Sequence, residues 1–96
     1  MIKHIVCFML KDKSEENCRK AQEVLLSMKD NVELLRDIRV GVDFLHSERS
    51  CDVVLEIVVD DRAALEAYQN HPYHVSVVKK HMHAVRESSV SADYEF

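Results

Sequence analysis

The architecture of this chain follows from nine residues near its start, Ile2-Lys3-His4-Ile5-Val6-Cys7-Phe8-Met9-Leu10. Their apolar content predicts a β-strand, in which successive side chains point to opposite faces of the sheet. One face then carries Ile2, His4, Val6, Phe8 and Leu10, and the other carries Ile5, Cys7 and Met9. Because both faces are largely apolar, this strand needs to be covered on both sides.

The rest of the chain predicts three more strands and two helical regions. Alternating apolar residues indicate strands at 38–45, 51–59 and 85–96, with Gly41 marking a bulge or a close backbone approach. A first helix begins after the N-cap Ser14 and ends at Asp30-Asn31. Asp60-Asp61 caps a second helix, and Pro72 begins a third.

This order of elements is βαββαβ, with a helix pair before the last strand. It predicts an α+β fold: a ferredoxin-like subunit with a four-stranded antiparallel sheet and helices on one face. The helices leave the other apolar sheet face uncovered. Burying such a face contributes several kcal/mol at about 25 cal/mol per Å², so we expect a homodimer that packs sheet on sheet.

Composition excludes several classes of protein. The 96 residues, with one Gly and one Pro, predict a single domain over 1–96. A net charge of −4 argues against a nucleic-acid partner. The first apolar run ends at Leu10, too early for a secretory signal or a membrane span, so we expect no membrane partner. Cys7, Cys18 and Cys51 have no CxxC spacing, so we expect reduced thiols and a cytoplasmic location.

The densest cluster of reactive groups is Tyr68-Gln69-Asn70-His71-Pro72-Tyr73-His74. His74 suits a general base, since the imidazole pKa is near neutrality. Tyr68 can donate to a developing enolate or orient His74. The alternative is structural, with His74 bonded to a backbone carbonyl or to Tyr68 at the joint between the helices, and with His71 capping the next helix.

Other histidines leave further alternatives open. His4 is either a satisfied interior histidine or part of a cavity lining. Four histidines fall between residues 71 and 83: His71, His74, His81 and His83. They lack the i, i+4 spacing of helical metal ligands, and no Cys or carboxylate completes a set. We therefore expect no metal and no cofactor.

Several segments together carry a family resemblance that runs nearly end to end. They are Ile2-Lys3-His4-Ile5-Val6 with Phe8, Gly41-Val42-Asp43, the Tyr68–His74 motif and Val90-Ser91-Ala92-Asp93-Tyr94-Glu95. With them, the chain resembles the stress-responsive dimeric α/β-barrel (Dabb) family. The resemblance implies a barrel formed by two ferredoxin-like subunits. We expect the terminal Asp93-Tyr94-Glu95 to pair across the dimer.

The resemblance also implies candidate site residues. One branch of the family includes a plant polyketide cyclase, in which the residues matching Tyr68 and His74 act in the pocket and the one matching His4 lines it. That cyclase has a further histidine where this chain has Val53. The implied catalytic residues are His74 and Tyr68, and the implied substrate contacts are His4, Phe8, Val53 and His71.

Three functions fit these observations. The first is a homodimeric barrel protein that binds a small apolar molecule in a cavity between sheet and helices. The second is a cofactor-independent cyclase or isomerase, with His74 as general base and Tyr68 stabilising the enolate. The third is a structural stress protein without a ligand. Whether the protein is an enzyme stays open at this level.

Overall fold

The apolar stretch at the start of the chain forms the inner strand β1 (Ile2–Leu10) of a four-stranded antiparallel sheet. The computed structural model describes all 96 residues. The other strands are β2 (Asp37–Val42), β3 (Val53–Val59) and β4 (Arg86–Glu95), in the sheet order β2-β3-β1-β4. Together with the helices, this is the predicted ferredoxin-like βαββαβ arrangement.

Two helices begin at the predicted caps. Ser14 Oγ accepts a hydrogen bond from the backbone N–H of Asn17 (3.2 Å) at the start of α1 (Glu15–Leu26). Asp61 Oδ1 accepts one from the backbone N–H of Ala64 (2.8 Å) at the start of α2 (Arg62–Gln69). Both side chains thus satisfy backbone donors that have no partner within the helix. A 3₁₀ turn over Ser27–Asp30 extends α1 to the predicted stop.

The last helical run begins at Pro72, as predicted. His71 caps it, since the backbone N–H of Tyr73 donates to His71 Nδ1 (3.2 Å). The run contains a six-residue π-helical segment, His74–Lys79, before α3 (Lys80–Val85). π-Helical turns are rare and frequently lie at functional sites. The sequence did not predict this segment.

The helices pack on one face of the sheet and enclose the core there. Strand residues on this face alternate with the predicted period of two and meet the apolar stripes of α1, α2 and the last helical run. Val53 lies within this core and is fully buried. The core residues include Ile2, Phe8, Leu10, Ala21, Leu25, Met28, Leu55, Ile57, Tyr68, Val78 and Met82.

No helix covers the opposite face, which we call the open face. Its central row is formed by Val54, Cys7 and Val90, paired across β3, β1 and β4. Val90 is 70% exposed, whereas Cys7 and Val54 are half-buried. The neighbouring rows add Ile5, Met9, Val58, Ala92 and Tyr94. The first strand is therefore apolar on both sides, as predicted, and the chain itself covers only one of them.

The second and third strands are shorter than predicted. β2 ends at Val42 and β3 begins at Val53, so Phe44 and Leu45 lie in the connecting loop and are 88% and 68% exposed. Gly41 pairs regularly with Val54, and a Cβ built on it meets nothing within 4 Å. The predicted bulge or close approach at Gly41 is therefore wrong. None of the helices has the length and apolar content needed to cross a lipid bilayer.

Candidate functional site

A cavity of about 230 Å³ lies between the sheet and the helices, and we call it the inter-layer cavity. It opens beside β4, whose residues on the helix side, Ser89, Ser91 and Asp93, are polar and incompletely covered. Its buried wall is apolar apart from His4, Tyr68 and His74. The apolar lining residues are Val6, Phe8, Leu25, Leu55, Val78 and Met82, and the polar ones include His4, Tyr68, Gln69 and His74.

The hydroxyl of Tyr68 is a buried donor without a partner at this cavity. Tyr68 is 1% exposed, because α2 presses its ring against the sheet, and its Oη atom has no hydrogen-bond partner. Burial raises the pKa of Tyr68 above its usual value, so the hydroxyl stays protonated near neutral pH. A buried polar group left unpaired costs free energy, and an acceptor placed in the cavity would remove that cost.

His74 is the first residue of the π-helical segment, and its ring lies against Tyr68. The ring centroids are 4.5 Å apart. His74 Nδ1 is 3.2 Å from the backbone carbonyl of Gln69 and donates to it. This bond leaves Nε2 as the acceptor of a neutral imidazole. Gln69, rather than Tyr68, therefore orients the ring, as in the structural alternative, yet the same ring lines the cavity.

The protonation state of His74 follows from its surroundings. Burial lowers the pKa of His74 below the ordinary value, the hydrogen bond to Gln69 opposes that shift, and the positive charge of Lys79 adds to it. The imidazole is thus neutral at pH 7. A neutral imidazole with a free Nε2 can accept a proton from a molecule in the cavity.

His4 faces the same cavity from β1 and is held by a carboxylate. The register of β1 and β4 places His4 opposite Asp93, and His4 Nδ1 hydrogen-bonds to Asp93 Oδ1. The rings of His4 and Tyr68 meet edge to face, 5.8 Å apart. His4 is thus both a satisfied interior histidine and a cavity residue, so the two alternatives hold together.

This contact adds to the expectation for the end of the chain. Asp93 pairs with His4 of the same chain, and the pairing of Asp93-Tyr94-Glu95 across a dimer stays a prediction. Glu95 likewise pairs within the chain, with Arg62 at 2.7 Å. A carboxylate beside an imidazole fixes the ring and its tautomer, so Asp93 orients the His4 ring that lines the cavity.

The structure brings together four of the six predicted site residues. His74, Tyr68, His4 and Phe8 line the inter-layer cavity. Val53 does not, because the side chain from β3 that reaches the cavity is Leu55.

The remaining candidate, His71, lies apart from the cavity. Its Nε2 atom is 3.2 Å from Glu33 Oε2, and its Nδ1 atom accepts the cap bond from Tyr73. Its role is therefore that of the predicted helix cap, and His71 does not join the other candidates at the cavity.

Sequence reasoning missed several residues of the site. Asp93 was found only through strand register, which the sequence does not specify. Lys79, His83 and the half-buried Arg86 lie at the mouth of the cavity, and Lys79 and Arg86 give it positive charge. The sequence indicated that Lys79 and His83 lie near the core, because they directly follow the buried apolar residues Val78 and Met82.

No group of three or more His, Cys, Asp or Glu side chains is placed so that it can hold a metal ion.

Comparison with known proteins agrees with this architecture. A model of the stress responsive A/B barrel domain (Dabb) matches residues 2–96. The chain belongs to this family. No curated protein is similar enough in sequence to match this Dabb chain.

Solved structures share the fold over nearly the full chain. A dimeric protein of unknown function from Bacteroides fragilis, with a ferredoxin-like fold, is 27% identical, with a TM-score of 0.85 over 99% of this Dabb chain and 95% of that one. A dimeric ferredoxin-like protein of unknown function from Thermobifida fusca is 19% identical, with a TM-score of 0.85 over 99% and 90%. A hydroxynitrile lyase from Passiflora edulis is 14% identical, with a TM-score of 0.82 over 97% and 90%.

Proposed function

We propose that this Dabb protein is a homodimer in which each subunit binds a small, largely apolar molecule carrying an oxygen acceptor. The observation that carries the proposal is the hydroxyl of Tyr68, buried and without a partner at an apolar cavity. Native proteins rarely leave such a donor unpaired. A ligand oxygen beside Oη would pair it, while the apolar wall would hold the rest of the molecule.

The dimeric part of the proposal rests on the open face. Val54, Cys7 and Val90 form an apolar row that no element of the chain covers. Packing this face against a second copy removes apolar surface from water on both subunits. The relatives from Bacteroides fragilis and Thermobifida fusca, which share the fold, are dimers. Two sheets packed in this way give the barrel that the family name describes.

Ligand binding can be tested with two probes of similar shape. Acetophenone carries an oxygen acceptor and ethylbenzene does not. We expect acetophenone to bind about fivefold more tightly, since one hydrogen bond contributes about 1 kcal/mol, and to shift the amide NMR signals of Leu55, Val78 and Met82. Tyr68→Phe should abolish this preference, whereas Tyr73→Phe, outside the cavity lining, should retain it. Absence of binding by both probes at millimolar concentration would refute the proposal.

A second candidate function is cofactor-independent proton transfer, of the cyclase or isomerase type. It is favoured by the neutral His74, whose Nε2 is free, next to a protonated Tyr68. His74 Nε2 would take a proton from the carbon next to a carbonyl group. The electron pair of that C–H bond would form the C=C bond of an enolate, and the π pair of the carbonyl would move to its oxygen, to which the Tyr68 hydroxyl would donate a hydrogen bond. His4, fixed by Asp93, would orient the substrate.

Proton abstraction can be measured without knowing the substrate. Ring-sized ketones are incubated in D₂O with the protein, and deuterium incorporation next to the carbonyl is followed by NMR. We expect acceleration by the wild type and a loss of at least about 100-fold in His74→Gln, the usual contribution of a general base. His46→Gln, at an exposed histidine in the loop after β2, is the control and should exchange like the wild type. A wild-type rate equal to that of buffer would exclude this function.

A further inference from the structure

We propose that the ligand of the inter-layer cavity is an anion: a ring-sized or short-chain carboxylate whose apolar body fills the cavity. Its carboxylate would lie at the mouth, against Arg86 and Lys79. This inference rests on the proposed binding function and adds the charge of the ligand to it. It is carried by the distribution of charge around the cavity, which differs from that of the whole chain.

The cavity lining contains no acidic residue. The chain has 17 Asp and Glu against 13 Lys and Arg, a net charge of −4. The lining nevertheless includes Lys79, Arg86 and the titratable His83, with no Asp or Glu among its fifteen residues. A concave wall lined by one sign of charge attracts ligands of the opposite sign. The carboxylate beside this opening, Asp93, is already paired with His4, so the unpaired cations Lys79 and Arg86 indicate an anionic ligand.

Arg86 is the best placed of these groups. It is the first residue of β4 and half-buried, and its Nη1 atom donates to Ser89 Oγ at 2.8 Å. Arg86 has no carboxylate partner in the chain, whereas four other arginines have one at 3.7 Å or less: Arg19, Arg36, Arg39 and Arg62. A guanidinium held at a cavity rim, with N–H groups still free, matches the two oxygens of a carboxylate.

Lys79 supports the same end of the cavity. It ends the π-helical segment and forms no ion pair within the chain. Its charge is felt at the His74 ring, where it helps to hold the imidazole neutral. The adjacent Lys80 is outside the cavity lining. Two consecutive lysines thus differ in their relation to the cavity, which gives the inference a matched control.

The size of the cavity limits the ligand's apolar body. Engineered cavities of about 150 Å³ lined by aliphatic and aromatic side chains hold benzene, and this cavity measures about 230 Å³. It is therefore suited to one ring with a short arm, or to an alkyl chain of similar volume. The apolar wall, the unpaired Tyr68 hydroxyl and the cationic mouth together fit a molecule whose apolar body carries an oxygen acceptor for Tyr68 and ends in a carboxylate.

The test compares phenylacetate with phenylacetamide, a neutral molecule of nearly the same shape. We expect the wild type to bind phenylacetate at least tenfold more tightly, with amide NMR shifts at Leu55, Val78 and Met82. Arg86→Gln should remove most of this preference, and Lys79→Gln should reduce it about threefold. Lys80→Gln and Arg49→Gln should leave it unchanged. Raising the salt concentration should weaken phenylacetate binding more than phenylacetamide binding.

The possible failures are distinguishable from one another. Equal binding of the acid and the amide would overturn the anion inference and leave the apolar binding function intact. Absence of binding by both molecules would overturn both. If Arg86→Gln loses its native NMR spectrum, the test uses Arg86→Lys and Lys79→Gln instead. An unchanged preference for phenylacetate over phenylacetamide in both variants would overturn the inference, and a reduced preference would support it.

Discussion

The two faces of the sheet differ in what covers them: the helices of the same chain cover one face, and no element of the chain covers the other. On the helix side, β1 places Phe8 and Leu10 in a core that the chain closes by itself. On the open side, the same strand places Ile5 and Cys7 on a surface that nothing in the chain covers. The helix side is in turn incomplete at one point, the inter-layer cavity, where Tyr68 has no hydrogen-bond partner. The open face is thus the surface proposed for a second subunit, and the inter-layer cavity is the place proposed for a small molecule.

Because the two faces differ in this way, substitutions that affect the folding of a subunit can be distinguished from those that affect dimer formation or ligand binding. Substitutions on the helix side should act on the stability of each subunit, those on the open face on dimer formation, and those at the cavity on ligand affinity. The adjacent residues Val53 and Val54 point to opposite faces, so the distinction can be tested with side chains of identical chemistry.

The largest effect is expected at Val53. Val53→Ala removes two methyl groups from the closed core, and we expect it to lower the free energy of unfolding by about 3 kcal/mol. Val54→Ala should lower it by less in dilute solution, where the open face is in water, and should act mainly on the monomer–dimer equilibrium. Urea denaturation at two protein concentrations measures both. Equal losses in both variants, independent of concentration, would contradict the difference between the faces.

The next largest effect is expected at Val90. Val90→Lys places a charge on the open face with little cost to the subunit, because Val90 is 70% exposed in the single chain. We expect the dissociation constant of the dimer to rise about thirtyfold, about 2 kcal/mol. Ala67→Lys, on the exposed side of α2, is the control. A sedimentation profile unchanged by Val90→Lys would show that the second subunit, if present, binds elsewhere.

Two tyrosines should respond in opposite directions. Tyr68→Phe removes an unpaired buried hydroxyl, so it should leave the free energy of unfolding unchanged or raise it by up to about 1 kcal/mol. Tyr73→Phe removes a 2.7 Å hydrogen bond to Ser27 Oγ and should lower it by about 1 kcal/mol. Thermal unfolding of the ligand-free protein compares them. Equal destabilisation by both changes would indicate that Tyr68 Oη has a partner in solution.

The smallest effect is the pH dependence from His74. Because burial lowers the pKa of His74 in the folded state, the unfolded chain binds a proton more readily as the pH falls below about 6.5. The free energy of unfolding should therefore decrease as the pH falls from about 6.5 towards the lower pKa of His74 in the folded state. His74→Gln should reduce this slope, and His46→Gln, at an exposed position, should not. Denaturation curves between pH 5 and 8 measure it, and a slope that His74→Gln leaves unchanged would assign the titration elsewhere.

The fold could be predicted from the sequence because its local signals agree. Strand alternation, the caps Ser14 and Asp61 and the helix start at Pro72 each specify a boundary by local chemistry, and together they specify one topology. The prediction was wrong where local pattern competes with loop geometry. Phe44 continues the alternation of Ile38, Val40 and Val42 in sequence, but the chain leaves the sheet after Val42.

The candidate site was predictable only in part. Tyr68 and His74 were identified from residue type and motif, because hydroxyl and imidazole chemistry is visible in the sequence. His4 and Asp93 are 89 positions apart in sequence, and their pairing depends on the register of β1 and β4, which is set by the packed sheet. The place of Arg86 at the cavity mouth likewise depends on how far the helices extend over β4.

The π-helical segment makes chain length, and not only residue type, a determinant of the cavity. A π-helical turn makes i→i+5 hydrogen bonds and holds one residue more than an α-turn, which makes i→i+4 bonds. Deleting one residue within His74–Lys79 can therefore be absorbed by a return to α-helical bonding, which keeps Met82 in the core. Deleting one residue from α3 has no such outlet and would turn the residues after it by about 100°. A library of single-residue deletions through residues 72–85 should therefore yield more folded protein for deletions within His74–Lys79 than for deletions within α3.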